Sequence, residues 1–272
     1  MKLSARISVS AVTLLVLAGT VGCAKLKARD QLVKGVQAFK AGKFEEAVDH
    51  FQRSIELDPN YDVARLDLAA AYSSQVVPNL DSPENLKVAH QALDQFNIVL
   101  SKNQHDVIAL RQIASIHRSI KMYDQARADE LKVIQQAPND DQAYYTIGVI
   151  DWTQAYKNAT VILGAAGLTD DGLGNVKKSK DVCAKLQAQN TQLVDTAMQN
   201  LSKAISINPT YDDAMQYLNL AYRRKADLEC GNDAARKADL ATADDWVQKA
   251  TGARKANEAA KEKKLGGGVS MK

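Results

Sequence analysis

A 34-residue unit constrains this chain more than any other feature. Residues 107–140, VIALRQIASIHRSIKMYDQARADELKVIQQAPND, form one complete copy, and the pattern returns along most of the sequence. A repeating helical hairpin cannot bury its apolar face alone. It must stack on its neighbours, so repetition decides the architecture before composition does. The register can be read within the chain. Ala47, Ala92, Ala126, Ala197 and Ala243 each open a triplet. Four residues on stand Phe51, Phe96, Glu130, Leu201 and Val247, and three further on Ser54, Val99, Val133, Ala204 and Ala250. Offsets of four and seven fall on one helical face. Upstream, a first helix aligns on Gly35, Ala69, Ala114, Gly148 and Asn219, where small residues let two helices approach. Three units close alike, at Pro59, Pro138 and Pro209. Proline ends the second helix, and the following Asn60, Asp140 or Thr210 can cap the next.

This pattern resembles the tetratricopeptide repeat family: a small residue in the first helix, then alanine, an aromatic and another small residue in the second, then proline. The resemblance implies an all-α, right-handed superhelical solenoid of five antiparallel helix pairs, at 28–61, 62–106, 107–140, 141–211 and 212–252. Twelve positions separate Gly35 from Ala47, and likewise Ala114 from Ala126. The same interval is 23, 49 and 24 in the second, fourth and fifth units, which places insertions of 11, 37 and 12 residues between the helices of those hairpins. Glu130, Asp151, Asn219 and Gln104 depart from the pattern, standing where an aromatic, an aromatic, a glycine and a proline are usual.

The N-terminus supplies an expected address. Lys2 and Arg6 precede an apolar stretch from Ile7 to Val21, too short for the ~20 residues of a bilayer-spanning helix. It ends Gly19-Thr20-Val21-Gly22-Cys23, which resembles a bacterial lipoprotein signal. That resemblance implies cleavage before Cys23, lipidation of Cys23, and a short lipidated linker at 23–27. Two or three acyl chains anchor a protein stably where one does not. Ala24 after the cysteine points to the outer membrane, facing the periplasm; a soluble periplasmic or secreted protein is the alternative.

Residues 1–22 carry two basic side chains and no acidic ones, so the remainder holds 33 basic against 32 acidic, a balance of +1. Such a near-neutral surface argues against nucleic acid as a partner. Cys183 and Cys230 occupy nearly equivalent places in neighbouring insertions, 14 and 13 residues before Ala197 and Ala243. A disulfide and two free thiols both remain open, since bonding needs the Cα atoms within about 7 Å. No CxxC or histidine pair accompanies them, so no metal site is expected. The glycine-rich 164–174 lacks the Lys-Ser/Thr of a phosphate loop. Asp170, Asp171 and Asn175 lack the ligand ladder of a calcium loop. That insertion reads as a flexible loop between two overlong helices, and as a second candidate for partner contact over 153–190. His50, His90, His105 and His117 show no catalytic spacing, and His117 reads as a packing residue. No cofactor or catalytic residue is expected.

In the repeat family the inner wall of the superhelix is lined by first-helix residues. Carried onto this chain, those places hold Leu32 and Val36, which do not fit the lysine and asparagine clamp of the family's chaperone-tail readers. Further along they hold Arg111, Arg118, Tyr145, Trp152, Arg223 and Arg224, a cationic and aromatic trough suited to an acidic peptide. Residues 253–272 read as a charged capping helix followed by a flexible tail from Gly266. The expected function is a non-enzymatic scaffold lipoprotein of the bacterial envelope that binds a protein partner in assembly, secretion or pilus-type biogenesis. A cell-surface glycan- or solute-binding lipoprotein is the alternative.

Overall fold

A computed structural model describes residues 23–266, and every regular element among them is a helix. The order is α1 (23–40), α2 (Phe44–Leu57), α3 (Asp62–Ser73), α4 (Pro83–Lys102), α5 (Val107–Ser119), α6 (Tyr123–Gln136), α7 (Asp141–Ala165), α8 (Lys180–Ile207), α9 (Asp212–Leu228) and α10 (Asp233–Gly266). They pair as five hairpins. The chain divides into two compact units at Asp129/Glu130, within α6. The signal peptide expected at 1–22 lies outside the described residues, as does the tail beyond Gly266.

The repeat register explains the packing. Ala47, Ala92, Ala126, Ala197 and Ala243 are all fully buried, and Phe51, Phe96, Glu130 and Leu201 stay buried four residues on. Alanine is required where helix axes come closest, because a larger side chain would hold them apart. The glycines do the same from the first helix. A Cβ on Gly35 would lie 2.5 Å from Cε1 of Phe51, and one on Gly148 would lie 2.6 Å from Cγ of Leu201. Each glycine is a notch for the large side chain opposite. Burying a side chain of that size contributes about 1.5–3 kcal/mol.

The turns after the prolines differ from the expected capping. Asp140 does cap α7, accepting from the Ala143 amide at 3.0 Å. Asn60 and Thr210 do not cap: Tyr61 and Tyr211 stand at the N-caps of α3 and α9, and neither side chain caps its helix. Instead Asp58 and Asn208, just before the prolines, accept from the amides of Asn60 and Thr210 at 3.2 Å each. Such Asx turns let a short polar side chain take the place of a helix cap.

Two segments differ from their expected form. The linker at 23–27 is the first turn of α1, so a lipid on Cys23 would join a helix directly. Residues 253–264 are no separate capping helix, because α10 runs unbroken from Asp233. Its distal turns reach back to the start of α9, where Arg254 Nε donates to Asp212 at 2.8 Å and Asn257 to the Thr210 carbonyl at 2.9 Å.

The 37-residue insertion is consumed chiefly by helix. α7 and α8 run 25 and 28 residues, leaving only 166–179 between them. Ala159, Ile162, Leu163 and Leu186 form a small apolar core in this extension, with Leu168, Val182 and Leu228 against it. Asn190, 1% exposed, pins the helices midway. Its amide donates to the Ala155 carbonyl at 2.9 Å and its oxygen accepts from Asn158 at 3.0 Å. Asp151, the departure from the aromatic, accepts from Thr196 at 2.8 Å.

Candidate functional site

Successive turns of α7 and α9 carry a strip of rings in the second unit. Tyr145, Trp152 and Tyr156 fall at spacings of seven and four on α7, hence on one face, and Tyr217 faces them from α9. Tyr145 and Tyr217 meet edge to face at 5.8 Å, Tyr217 and Trp152 at 5.3 Å, and Trp152 stacks on Tyr156 at 5.4 Å. Tyr211 closes the other end, 4.9 Å from Tyr145. Burial pushes the Tyr211 hydroxyl well above the usual tyrosine range, and nearby Tyr145 and Asp141 add to it. The other rings are partly buried, but Tyr156 is 42% exposed. The indole N–H of Trp152 has no acceptor among the described residues, so ring contacts and packing against the Leu201 and Leu218 core orient the ring. Rings at these separations gain about 0.5–1.5 kcal/mol per pair beyond their burial.

The strip ends at a charge cluster that redefines two expected site residues. Arg224 is 4% exposed and lines no open surface. Its guanidinium lies 2.6 Å from Asp170 and 2.9 Å from Asp227, and 5.8 Å over the Tyr156 ring. A buried carboxylate is costly unless paired, and the arginine is what makes the two aspartates tolerable there. Burial raises the Asp227 carboxyl to about 6, with Arg224 opposing the rise and Asp170 adding to it. Arg223 is likewise committed. It donates to Asn219 at 3.0 Å, to the Gly172 carbonyl at 3.2 Å and to Asp244 at 2.7 Å.

Both arginines therefore hold the insertion rather than an outside acid. Arg236 joins them, donating to the Leu173 carbonyl at 2.8 Å. The loop also closes on itself. Asp170 accepts from the Gly172 amide, Asp171 from those of Leu173 and Asn175, and Asn175 donates to the Thr169 carbonyl. The residues that suggested phosphate or calcium are spent on this scaffold. The expected flexible connector is a structured turn, clamped onto α9 and α10.

Cys183 and Cys230 are joined as a disulfide, with Cα atoms 6.0 Å apart. The bond ties the first turn of α8 to the α9–α10 turn. Arg111 and Arg118 are exposed seven residues apart on α5, and they belong to the first unit. His117 packs as expected, 2.7 Å from Asp129. Cys23 is exposed at the start of α1. Thus Tyr145 and Trp152 come together, with Arg223 and Arg224 at their end. Sequence reasoning missed Tyr156 and Tyr217, although the i, i+4 spacing of Trp152 and Tyr156 pointed to the former.

A family model described as tetratricopeptide repeat matches residues 32–61, from the second half of α1 through the turn that closes the first hairpin. The chain thus carries a tetratricopeptide repeat. Solved structures extend the likeness over most of the chain. A double-mutant form of MamA RS-1 is 17% identical and covers 86% of this chain and 97% of that chain, with a TM-score of 0.56. MamA 41-end from Desulfovibrio magneticus RS-1 is 17% identical, covers 85% and 96%, and has a TM-score of 0.54. At such identity the likeness concerns the fold of the repeats alone. No curated protein matches the sequence.

Proposed function

We propose that this tetratricopeptide-repeat protein is a non-enzymatic scaffold of the bacterial cell envelope, tethered through a lipidated Cys23, and that the α7–α9 ring strip holds an extended segment of a protein partner. The carrying observation is the strip of Tyr145, Tyr217, Trp152 and Tyr156, partly open to solvent on first helices of the repeat. Aromatic side chains supply most of the energy at protein interfaces, at small entropic cost. The groups gathered here stack and hold. With Arg223 and Arg224 occupied inside the protein, the partner is expected to bind through apolar or ring-bearing residues more than through acids.

The test is crosslinking in native membranes, comparing the unaltered chain with Trp152→Ala and Tyr156→Ala. A single captured protein, lost about tenfold or more in both variants, is the expected result for a binding hot spot. Capture unchanged by both variants would remove the strip from consideration. A series of bound sugars would favour the glycan-binding alternative. Cys23→Ser checks the address in the same strains: it should block processing or free the protein from membranes.

A further inference from the structure

We propose that the Cys183–Cys230 bond is an exchange site for a dithiol protein reductant, entered through the cleft that the two cysteines line. The inference is independent of what the ring strip binds. A cleft of about 540 Å³ opens on the disulfide, lined besides the cysteines by Val176, Lys178, Lys180 and Arg236. That volume lies within the roughly 300–1,000 Å³ range of sites that admit another molecule's side chains.

The two sulfurs are not equivalent. Cys230 sits in the exposed turn between α9 and α10, whereas Cys183 is 3% exposed. An incoming thiolate therefore reaches the sulfur of Cys230. Cys183 is the fourth residue of α8, inside its first turn, behind the Ser179 cap. A helix N-terminus and neighbouring cations stabilise a thiolate, which makes Cys183 the better leaving group. Lys178, Lys180 and Arg236 line the cleft, outnumbering the acidic Glu229 and Asp233, of which Asp233 pairs with Arg236. Attack and departure are thus assigned to opposite ends of the bond.

The partner's thiolate attacks Sγ of Cys230, the Cys183–Cys230 bond breaks, and Cys183 leaves as a thiolate. The partner's second thiol, deprotonated, then attacks its own sulfur in the mixed disulfide, and Cys230 leaves as a thiolate. The two protons lost by the partner's thiols end on Cys183 and Cys230. The partner is oxidised to its disulfide, and this chain is reduced by two electrons. Reduction leaves the α9–α10 turn held to the insertion by noncovalent bonds alone, among them Arg236 to Leu173 and Gln187 to the Leu228 carbonyl at 2.8 Å.

The experiment uses the oxidised full chain and glutathione as the probe thiol, with acid quenching and peptide mass spectrometry. Glutathione is expected on Cys230, leaving Cys183 free for alkylation. In parallel, the rate of reduction by dithiothreitol without denaturant is compared with the rate of global unfolding from hydrogen exchange of α8. Reduction at least tenfold faster than unfolding supports exchange in the folded state, even if the mixed disulfide is too short-lived to trap. Lys180→Glu should slow it several-fold with helix content unchanged. Glutathione on Cys183 or on both alike, or reduction no faster than unfolding, would make the bond a structural staple and overturn the proposal.

Discussion

The hairpins α1–α2 and α7–α8 begin alike and end differently. Each has a glycine notch filled from the second helix, Gly35 by Phe51 and Gly148 by Leu201. The first hairpin stops there, held by that fit, by Ser54, which donates to the Ala28 carbonyl at 2.7 Å, and by a 2.8 Å contact of His50 with Gln31. The other continues for several turns past the repeat, and further polar and covalent ties are added there. Asn190 pins the helices by hydrogen bonds, three arginines clamp the loop, and a disulfide ties α8 to the next hairpin. Dispersion and burial are tolerant of small slides; directed hydrogen bonds and buried charge pairs are not. The repeat fixes how close two helices lie. The extension fixes how they are aligned.

That contrast can be broken at either end. Phe51→Ala should have the largest effect, about 3–5 kcal/mol, because it empties the notch opposite Gly35. Urea unfolding of the first unit measures it, and a loss below about 1 kcal/mol would mean that notch and ring do not hold the hairpin. Arg224→Ala comes next. Stripping a buried carboxylate of its partner costs about 3–5 kcal/mol where the charge persists. Asp227, raised to about 6, can instead take up a proton. The loss should therefore stand near the lower figure at pH 7 and shrink below pH 6; a loss independent of pH would contradict the charge account.

Asp227→Asn gives the smallest and sharpest signal. The folded-state pKa of about 6 lies above the ordinary 3.8, so between these values the folded chain holds more protons than the unfolded one. Stability is then greater at the acid end, falls as pH rises through that window, and levels off above about 6. The amide cannot titrate, so this contribution should vanish from a melting-temperature series between pH 4 and 7. A variant whose profile keeps the unaltered slope would show that Asp227 does not titrate there.

The division between the hairpins also governs what was legible beforehand. Helix pairing and burial at Ala47 through Ala243 could be read directly, because interhelical distance is encoded in residue size at a fixed period. The ring strip was half legible: Tyr145 and Trp152 repeat at seven, whereas Tyr217 reaches it from another helix. Arg224 was misread because its surroundings come from Asp170, 54 positions away in a loop with no period. A residue seven-spaced on a first helix is on the inner wall only while no insertion folds over it. For the same reason the roles of Asp170 and Asp171, set aside as calcium ligands, could not be read: their partners are amides two to four residues on and a guanidinium on α9.

Asn190 has a consequence for how this hairpin can change length over evolution. A deletion of one residue between Asn190 and Leu201 would turn the amide by about 100° relative to the notch, since an α-helix advances 3.6 residues per turn. Asn190 would lose the Ala155 carbonyl, or Leu201 would lose Gly148. Seven residues, close to two whole turns, could be lost or gained there only if α7 changed by the same amount. Past Asn190 the requirement continues along α8, where Gln187 is held to the Leu228 carbonyl and Cys183 to Cys230, and it relaxes only in the loop before the arginine clamp at Asp170. Length variants of this arm should therefore come as paired steps of two turns within the helices, and as single residues only between Cys183 and the clamp.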